Sequence, residues 1–387
     1  MTSTYLFLIF AALFLFFLAF STGAPAFLAP AVLLCLVLMY ASFSVRFVRR
    51  RLRLSCTLSR NRISRGETAD VTIMVSHPPL VPVSSIRLEI GLDEDLPAQR
   101  VKIGLRTRQE KIQLAFPTRH AGCRTPSVRV CEITDLFSIR TCRFVPPLRA
   151  EDLLVLPVAF DVDSLVYAQI DAGLGTMARA TEDFTSPADI RSYQPGDPMK
   201  RIHWKLSARK QELLVRHFDE PVLPDALVIM DCEKPRGPHV LDLQDALLET
   251  ALSVLHKEMA RDHMIRMPLM GRYPTEIDGH MRQSLAAEHL ARLVWREERP
   301  TDGAYSSSFE EVLLMESQRM RRVGATVIIS ASLTGDMVEI MQQMRRMGPT
   351  LRLYLITLDP EDPDILPFVM NLQQAGCEVC YVTPSFG

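Results

Sequence analysis

Ala226-Leu227-Val228-Ile229-Met230-Asp231 is the stretch on which the fold reading turns. Five uninterrupted apolar residues closed by an acid read as a strand buried on both faces, since a half-exposed strand would alternate with polar positions. Downstream, Val240, Leu243, Leu247, Ala251, Val254 and Leu255 recur at helical spacing. Ser307 with Glu310 offers a capping box for a helix running to about Arg322. A strand over 325–329, a helix over 336–347, a strand over 351–358 and a helix over 364–375 follow, with Gly376 at the end of that helix and a last strand over 377–382. Strands alternating with helices predict a mostly parallel, doubly wound sheet, whose ligands sit at the carboxyl ends of the strands. The chain contains neither GxGxxG nor GxxxxGK[ST], so a nucleotide site has no support.

Upstream the pattern changes. Over residues 55–157, short alternating runs such as Asp70-Val71-Thr72-Ile73-Met74-Val75 and Ser85-Ile86-Arg87-Leu88-Glu89-Ile90 are separated by Pro and Gly turns. Lys111-Ile112-Gln113-Leu114 and Ser127-Val128-Arg129-Val130 repeat the pattern, which predicts a β-sandwich-like domain. Residues 160–182 are weakly patterned and read as a connector.

At the N-terminus, residues 4–20 and 26–45 carry no charge and are interrupted by Ser21-Thr22-Gly23-Ala24-Pro25. Each run, as a helix, spans roughly 25–30 Å, the hydrocarbon thickness of a bilayer. Met1 to Tyr5 lack the basic flank of a signal peptide, so a two-helix membrane anchor is expected. Arg46, Arg49, Arg50, Arg51 and Arg53 follow the second run, and the Lys/Arg excess marks the cytoplasmic side. The expectation is a multi-pass inner-membrane protein with both termini cytoplasmic and lipid contact through residues 4–45. No ionisable residue lies inside either run, so the hairpin marks no ion pathway.

The 387 residues are 48% hydrophobic, 23% charged and 7% aromatic, enough apolar material for several cores. A net charge of −1 argues against a nucleic-acid partner. The eight cysteines are scattered, as small core hydrophobes of a reducing compartment would be. Cys377 and Cys380 have CxxC spacing, but on a strand the two thiols point to opposite faces. The domain reading is 1–48, two transmembrane helices; 55–157, β-rich; 158–222, connector and a charge-dense segment; 223–387, α/β.

That dense segment reads Glu182-Asp183-Phe184, Ile190-Arg191-Ser192-Tyr193-Gln194-Pro195-Gly196-Asp197, Arg201-Ile202-His203-Trp204-Lys205, Ser207-Ala208-Arg209 and Leu213-Leu214-Val215-Arg216-His217-Phe218. It closely resembles the signature of the bacterial "domain of unknown function 58" family. Thr118-Arg119-His120-Ala121-Gly122 and Asp135-Leu136-Phe137-Ser138 are similar to the family's β-region. The resemblance implies two membrane helices, a β-rich region, the signature and a von Willebrand factor type A-like α/β domain. It also implies association with a MoxR-type AAA+ ATPase, hence a membrane-bound partner or adaptor for such an ATPase.

Read from the residues alone, Pro195-Gly196-Asp197 is a turn. Asp183, Arg191, Asp197, Arg201, Lys205 and Arg209 alternate in sign and suit an ordered ion-pair network, while Trp204 suits core packing or a partner surface. Four readings stand: a structural network, a docking surface that also includes Tyr193 and His203, a nucleic-acid face of Arg201, His203, Trp204, Lys205 and Arg209 that lacks a broader basic surface, or a catalytic site using Asp183, Asp197 and His203. No nucleophile or metal-ligand set accompanies the last. The expectation is a non-enzymatic adaptor or assembly factor without cofactor, with a hydrolase at the signature as the second reading. Type A domains that bind a metal carry DxSxS after the first strand; here Asp231-Cys232-Glu233-Lys234-Pro235 keeps only the first position. Asp231 therefore stands at a degenerate metal site, and no metal is expected.

Overall fold

The two uncharged runs form helices α1 (Ser3–Thr22) and α2 (Leu28–Arg51), reversed through Gly23, in the left-handed region at φ +62°, and a 3-10 turn over Pro25–Phe27. Ala12, Ala19, Ala31 and Ala41 are buried, and such small side chains let two helix backbones approach closely. Phe7, Phe10, Leu13, Phe14, Phe17 and Phe20 instead point outward. Both helices are long and apolar enough to cross a bilayer. The second runs beyond residue 45 and takes Arg49, Arg50 and Arg51 into its last turn, where cations oppose the negative end of the helix dipole.

The computed structural model describes residues 3–76, 83–92, 98–103, 109–167, 187–193, 199, 202–218, 226–261, 263–278, 281–296, 308–319 and 323–384. They fall into two units, Met1–Ala159 with Ser284–Leu293 and Ser385–Gly387, and Phe160–Gln283 with Val294–Pro384.

Beyond the hairpin the first unit is built of strands β1 (Arg53–Leu58), β2 (Arg62–Ser64), β3 (Thr68–Ser76), β4 (Val83–Gly91), β5 (Gln99–Ile103) and β6 (Gln109–Pro117). β7 (Gly122–Arg124), β8 (Ser127–Asp135), β9 (Thr141–Phe144), β10 (Leu148–Arg149) and β11 (Leu153–Leu156) complete it. Two four-stranded sheets, β10-β1-β3-β6 and β5-β4-β8-β9, share one core, and β2-β11-β7 forms a smaller third sheet. The alternation in β3 places Ala69, Val71, Ile73 and Val75 inside, facing Ile86, Leu88 and Ile90 of β4 and Cys131 and Ile133 of β8. Val45 and Val48 of α2 join that core, so the second helix is continuous with the β-rich part.

The second unit holds the hairpin strands β12 (Pro187–Ser192) and β13 (Leu214–Phe218), with α3 (Trp204–Lys210) between them, and the α/β region. That region runs β14 (Ala226–Met230), α4 (Val240–Met259), β15 (Ile265–Leu269), β16 (Thr275–Asp278), α5 (Gln283–Ala291), α6 (Phe309–Arg319), β17 (Ala325–Ser330), α7 (Gly335–Arg346), β18 (Thr350–Ile356), α8 (Leu366–Gln374) and β19 (Glu378–Val382). Most of α5 groups with the first unit. Strand order is β16-β15-β14-β17-β18-β19, parallel except for the β16 edge. All five residues of β14 are buried. α6, α7 and α8 cover Leu227, Ile229, Ile328, Leu353 and Leu355, while α4 packs on β14, β15, β17 and β18. A fully apolar strand is thereby sheltered on both sides.

Several local expectations shift. The cap of α6 is Ser308, whose hydroxyl accepts from Glu311 N at 3.3 Å; Ser307 lies outside the described residues. β15, β16 and α5 had no reading in the sequence. The connector is not loose over residues 160–167. Phe160 N donates to Ser253 Oγ at 2.8 Å, Leu165 N to Glu258 Oε1 at 2.9 Å, and Arg352 Nη1 to the Asp163 carbonyl at 2.8 Å. Residues 168–182 lie outside the described residues. Cys377 is buried in the α/β core, and burial pushes its thiol pKa up.

Candidate functional site

In an open α/β sheet the order reverses where the first strand's neighbours leave in opposite directions, and ligands collect at the carboxyl ends beside that point. Here the reversal lies between β14 and β17, whose partners run in register from Ala226↔Ala325 to Met230↔Ile329. The next residue, Asp231, donates its backbone N–H to the Ile329 carbonyl at 2.8 Å, so its side chain stands at the end of both strands. It is only 6% exposed.

Four side chains meet there. Asp231 Oδ1 accepts from Glu233 N at 2.9 Å, and Asp231 Oδ2 lies 3.0 Å from Ser330 Oγ. The same hydroxyl is 2.8 Å from the Ser332 carbonyl. A serine has one proton, so it can donate to only one of these two acceptors at a time. Donation to Ser332 requires a proton on Asp231. Burial pushes the Asp231 carboxyl up to about 6, helped by Glu233 and opposed by the hydrogen bonds from Glu233 N and Ser330 and by Arg296. Glu233 Oε1 accepts from Phe309 N at 2.8 Å and lies 3.6 Å from Arg296 Nη2. Backbone pairing fixes Arg296: its N–H donates to the Cys232 carbonyl and its own carbonyl accepts from Lys234 N, both at 2.9 Å.

This donor set does not fit a divalent cation. A hard dication takes six or more oxygens, several of them anionic. Both Asp231 oxygens are engaged by protein donors, Glu233 is tied to Phe309 N and Arg296, and a buried guanidinium already supplies positive charge. Pro235 offers no side-chain ligand. The sequence pointed to Asp231 alone; Glu233 figured there only as a departure from the metal motif, and Ser330 and Arg296 were missed. Ser330 sits one residue past the expected strand, and Arg296 lies in a stretch without periodicity.

The signature segment forms a separate cluster. β12 and β13 pair antiparallel through Ile190↔Arg216, Arg191↔Val215 and Ser192↔Leu214, and Tyr193 N donates to the Leu213 carbonyl at 2.8 Å. α3 is fastened to β13 from both ends of the segment: His203 N donates to the Leu214 carbonyl at 2.8 Å, and Leu214 N donates to Ser207 Oγ at 2.9 Å. His203 Nδ1 accepts from Leu206 N at 3.3 Å and caps the helix, so that nitrogen carries no proton in this arrangement. Trp204 is 62% exposed, and Lys205 and Arg209 are exposed beside it. The tryptophan is therefore not a core residue. Among the described residues neither Lys205 nor Arg209 has an ion-pair partner, and the acids expected to pair with them, Asp183 and Asp197, are not among those residues. Asp183, Gly196, Asp197 and Arg201 lie outside the described residues, and of Arg191 only the backbone is described.

No curated protein matches the chain. Among solved structures, Cwp6 from Clostridium difficile matches at 10% identity, covering 85% of this chain and 49% of that one with a TM-score of 0.19. The chain thus spans about half the length of that protein, and so low a score bears on neither fold nor function. Residues 189–376, which take in the signature from Ile190 onward and the α/β region, match the model of a family described as "Protein of unknown function DUF58", and this supports the family that the signature resembles.

Proposed function

We propose that the chain is a membrane-anchored adaptor or assembly factor that acts by binding other proteins, with a MoxR-type AAA+ ATPase as its partner. The observation that carries the binding reading is α3. A short helix pinned to β13 by His203 and Ser207 turns Trp204, Lys205 and Arg209 to solvent. Exposed Trp and Arg side chains on a rigid support are what binding hot spots are made of. The partner class comes from the family resemblance. A hydrolase finds less support, because His203 uses Nδ1 to cap a helix.

In this reading α1 and α2 form a two-span inner-membrane anchor, with both termini cytoplasmic. The α/β region is of von Willebrand factor type A-like kind, and its strand-end site is closed by Arg296 in place of a metal. The test compares Trp204→Ala and Arg209→Ala with the wild-type chain for co-purification of the ATPase from native membranes. Loss of a central anchor costs on the order of 2 kcal/mol, about thirtyfold in affinity, with unfolding unchanged. Stable variants that keep the partner return α3 to a structural role.

A further inference from the structure

The turn between β8 and β9 carries two adjacent apolar residues at its tip, Leu136 and Phe137, each 53% exposed. Exposure of that kind on a floppy loop would mean little, but this turn is rigidly built. Asp135 is fully buried, and its carboxylate accepts from Phe137 N at 3.0 Å and from Arg140 N at 2.5 Å. Backbone bonds from Asp135 N to the Arg140 carbonyl (3.0 Å) and from Ser138 N to the Asp135 carbonyl (3.1 Å) close it. Ser138 adopts a left-handed φ of +57°, a conformation that costs a non-glycine residue energy and persists only where the surroundings hold it. The tip is held outward, not collapsed onto the sheet.

Its position along α2 gives its depth. Tyr5 at the start of α1 meets Ser42 of α2, hydroxyl to hydroxyl at 2.9 Å, so these residues lie at one level of the hairpin. From Thr4 to Thr22 the first helix has 19 residues, about 28 Å at the usual rise, which matches the hydrocarbon thickness. Tyr5 and Ser42 therefore mark its edge. Phe137 packs edge-on against Tyr40 with ring centroids 6.1 Å apart, two residues inside that edge. Arg140 donates to Ser42 Oγ at 2.6 Å, and its guanidinium stands 5.1 Å from the Tyr5 ring centroid. An apolar tip beside Tyr40 and just below Arg140 and Tyr5 has the order of groups found at a bilayer interface.

The geometry points to a third membrane contact: Leu136 and Phe137 insert into the acyl region of the leaflet beside α2, with Arg140 at the headgroup level. The partner is the lipid of the bilayer that the hairpin spans, so the inference rests on the anchor reading. Its consequence is mechanical, since a β-domain seated at three points cannot swing freely about α2.

The test uses the full chain in lipid nanodiscs with Trp204 and Trp295 replaced by Phe. Single tryptophans are then placed by Phe137→Trp, Leu136→Trp, Phe10→Trp and Val145→Trp, and emission is read in lipid brominated near the top of the acyl chains. Val145 is the depth control. It is exposed and follows Phe144, whose ring lies 5.0 Å from the Arg49 guanidinium. Arg49 is about 13 Å further along α2 than Tyr40. Loss of emission and a blue shift at 136 and 137, but not at 145, are expected. Quenching at 10 with none beyond the Val145 level at 136 and 137 overturns the third contact and leaves the anchor standing. No quenching at 10 overturns the anchor and the inference together.

Discussion

Replacing Asp231 by Asn tests the strand-end site through its proton. Burial raises the carboxyl from 3.8 to about 6 in the folded chain, so the folded state holds its proton more tightly than the unfolded one. For a raised acid the associated stability is fully present below the unfolded pKa and is lost as pH rises through the folded value. A difference of about two units is about 3 kcal/mol, lost between about pH 4 and pH 7. Asparagine keeps the hydrogen bonds without the charge: its Oδ1 accepts from Glu233 N, its Nδ2 donates to Ser330 Oγ, and the serine proton goes to Ser332. Asp231→Asn is therefore expected to match wild type near pH 4 and to exceed it by up to about 3 kcal/mol at pH 7, about 1 M in urea midpoint. Both tryptophans, Trp204 and Trp295, belong to the second unit, so urea titrations of the detergent-solubilised full chain followed by their fluorescence report that unit. His256, held below its ordinary pKa by burial, and Glu258 also titrate with folding and lose stability toward acid, so the quantity to read is the difference between variant and wild type. A difference that stays flat with pH, or a variant less stable at pH 7 than wild type, refutes the account of the buried carboxyl.

Glu316 is 1% exposed and meets Arg266 Nη1 at 2.5 Å, while Arg266 Nε reaches Glu276 at 2.7 Å. Removing the buried anion by Glu316→Gln should cost about 3 kcal/mol in the same urea assay, and a loss under about 1 kcal/mol would mean that solvent screens the pair. A reporter fused after Gly387 should behave as cytoplasmic and the chain should resist carbonate extraction; recovery in the soluble fraction sinks the anchor. Magnesium or calcium should leave the unfolding midpoint of the second unit unchanged, because a cation bound only by the folded state stabilises it by RT ln(1 + [L]/Kd). A saturable rise would show that the Asp231 end of the sheet accepts metal after all.

Periodicity in the chain determined much of the architecture. Charge-free length specified α1 and α2, alternation specified β3 and β4, and the unbroken Ala226–Met230 run specified a strand covered on both faces. These are properties of a local segment against its solvent, and they survive without knowledge of any neighbour. β15 was not legible: Ile265-Arg266-Met267-Pro268-Leu269 contains a proline and an arginine that make sense only with β16 at the edge and Glu316 opposite. Trp204 could equally have been core or surface, because a single tryptophan carries no direction until α3 is fastened to β13. The same holds for Arg296 and Ser330. Each reaches Asp231 through strand pairing across a long stretch of chain, and no spacing in sequence records which strand ends will share one buried volume.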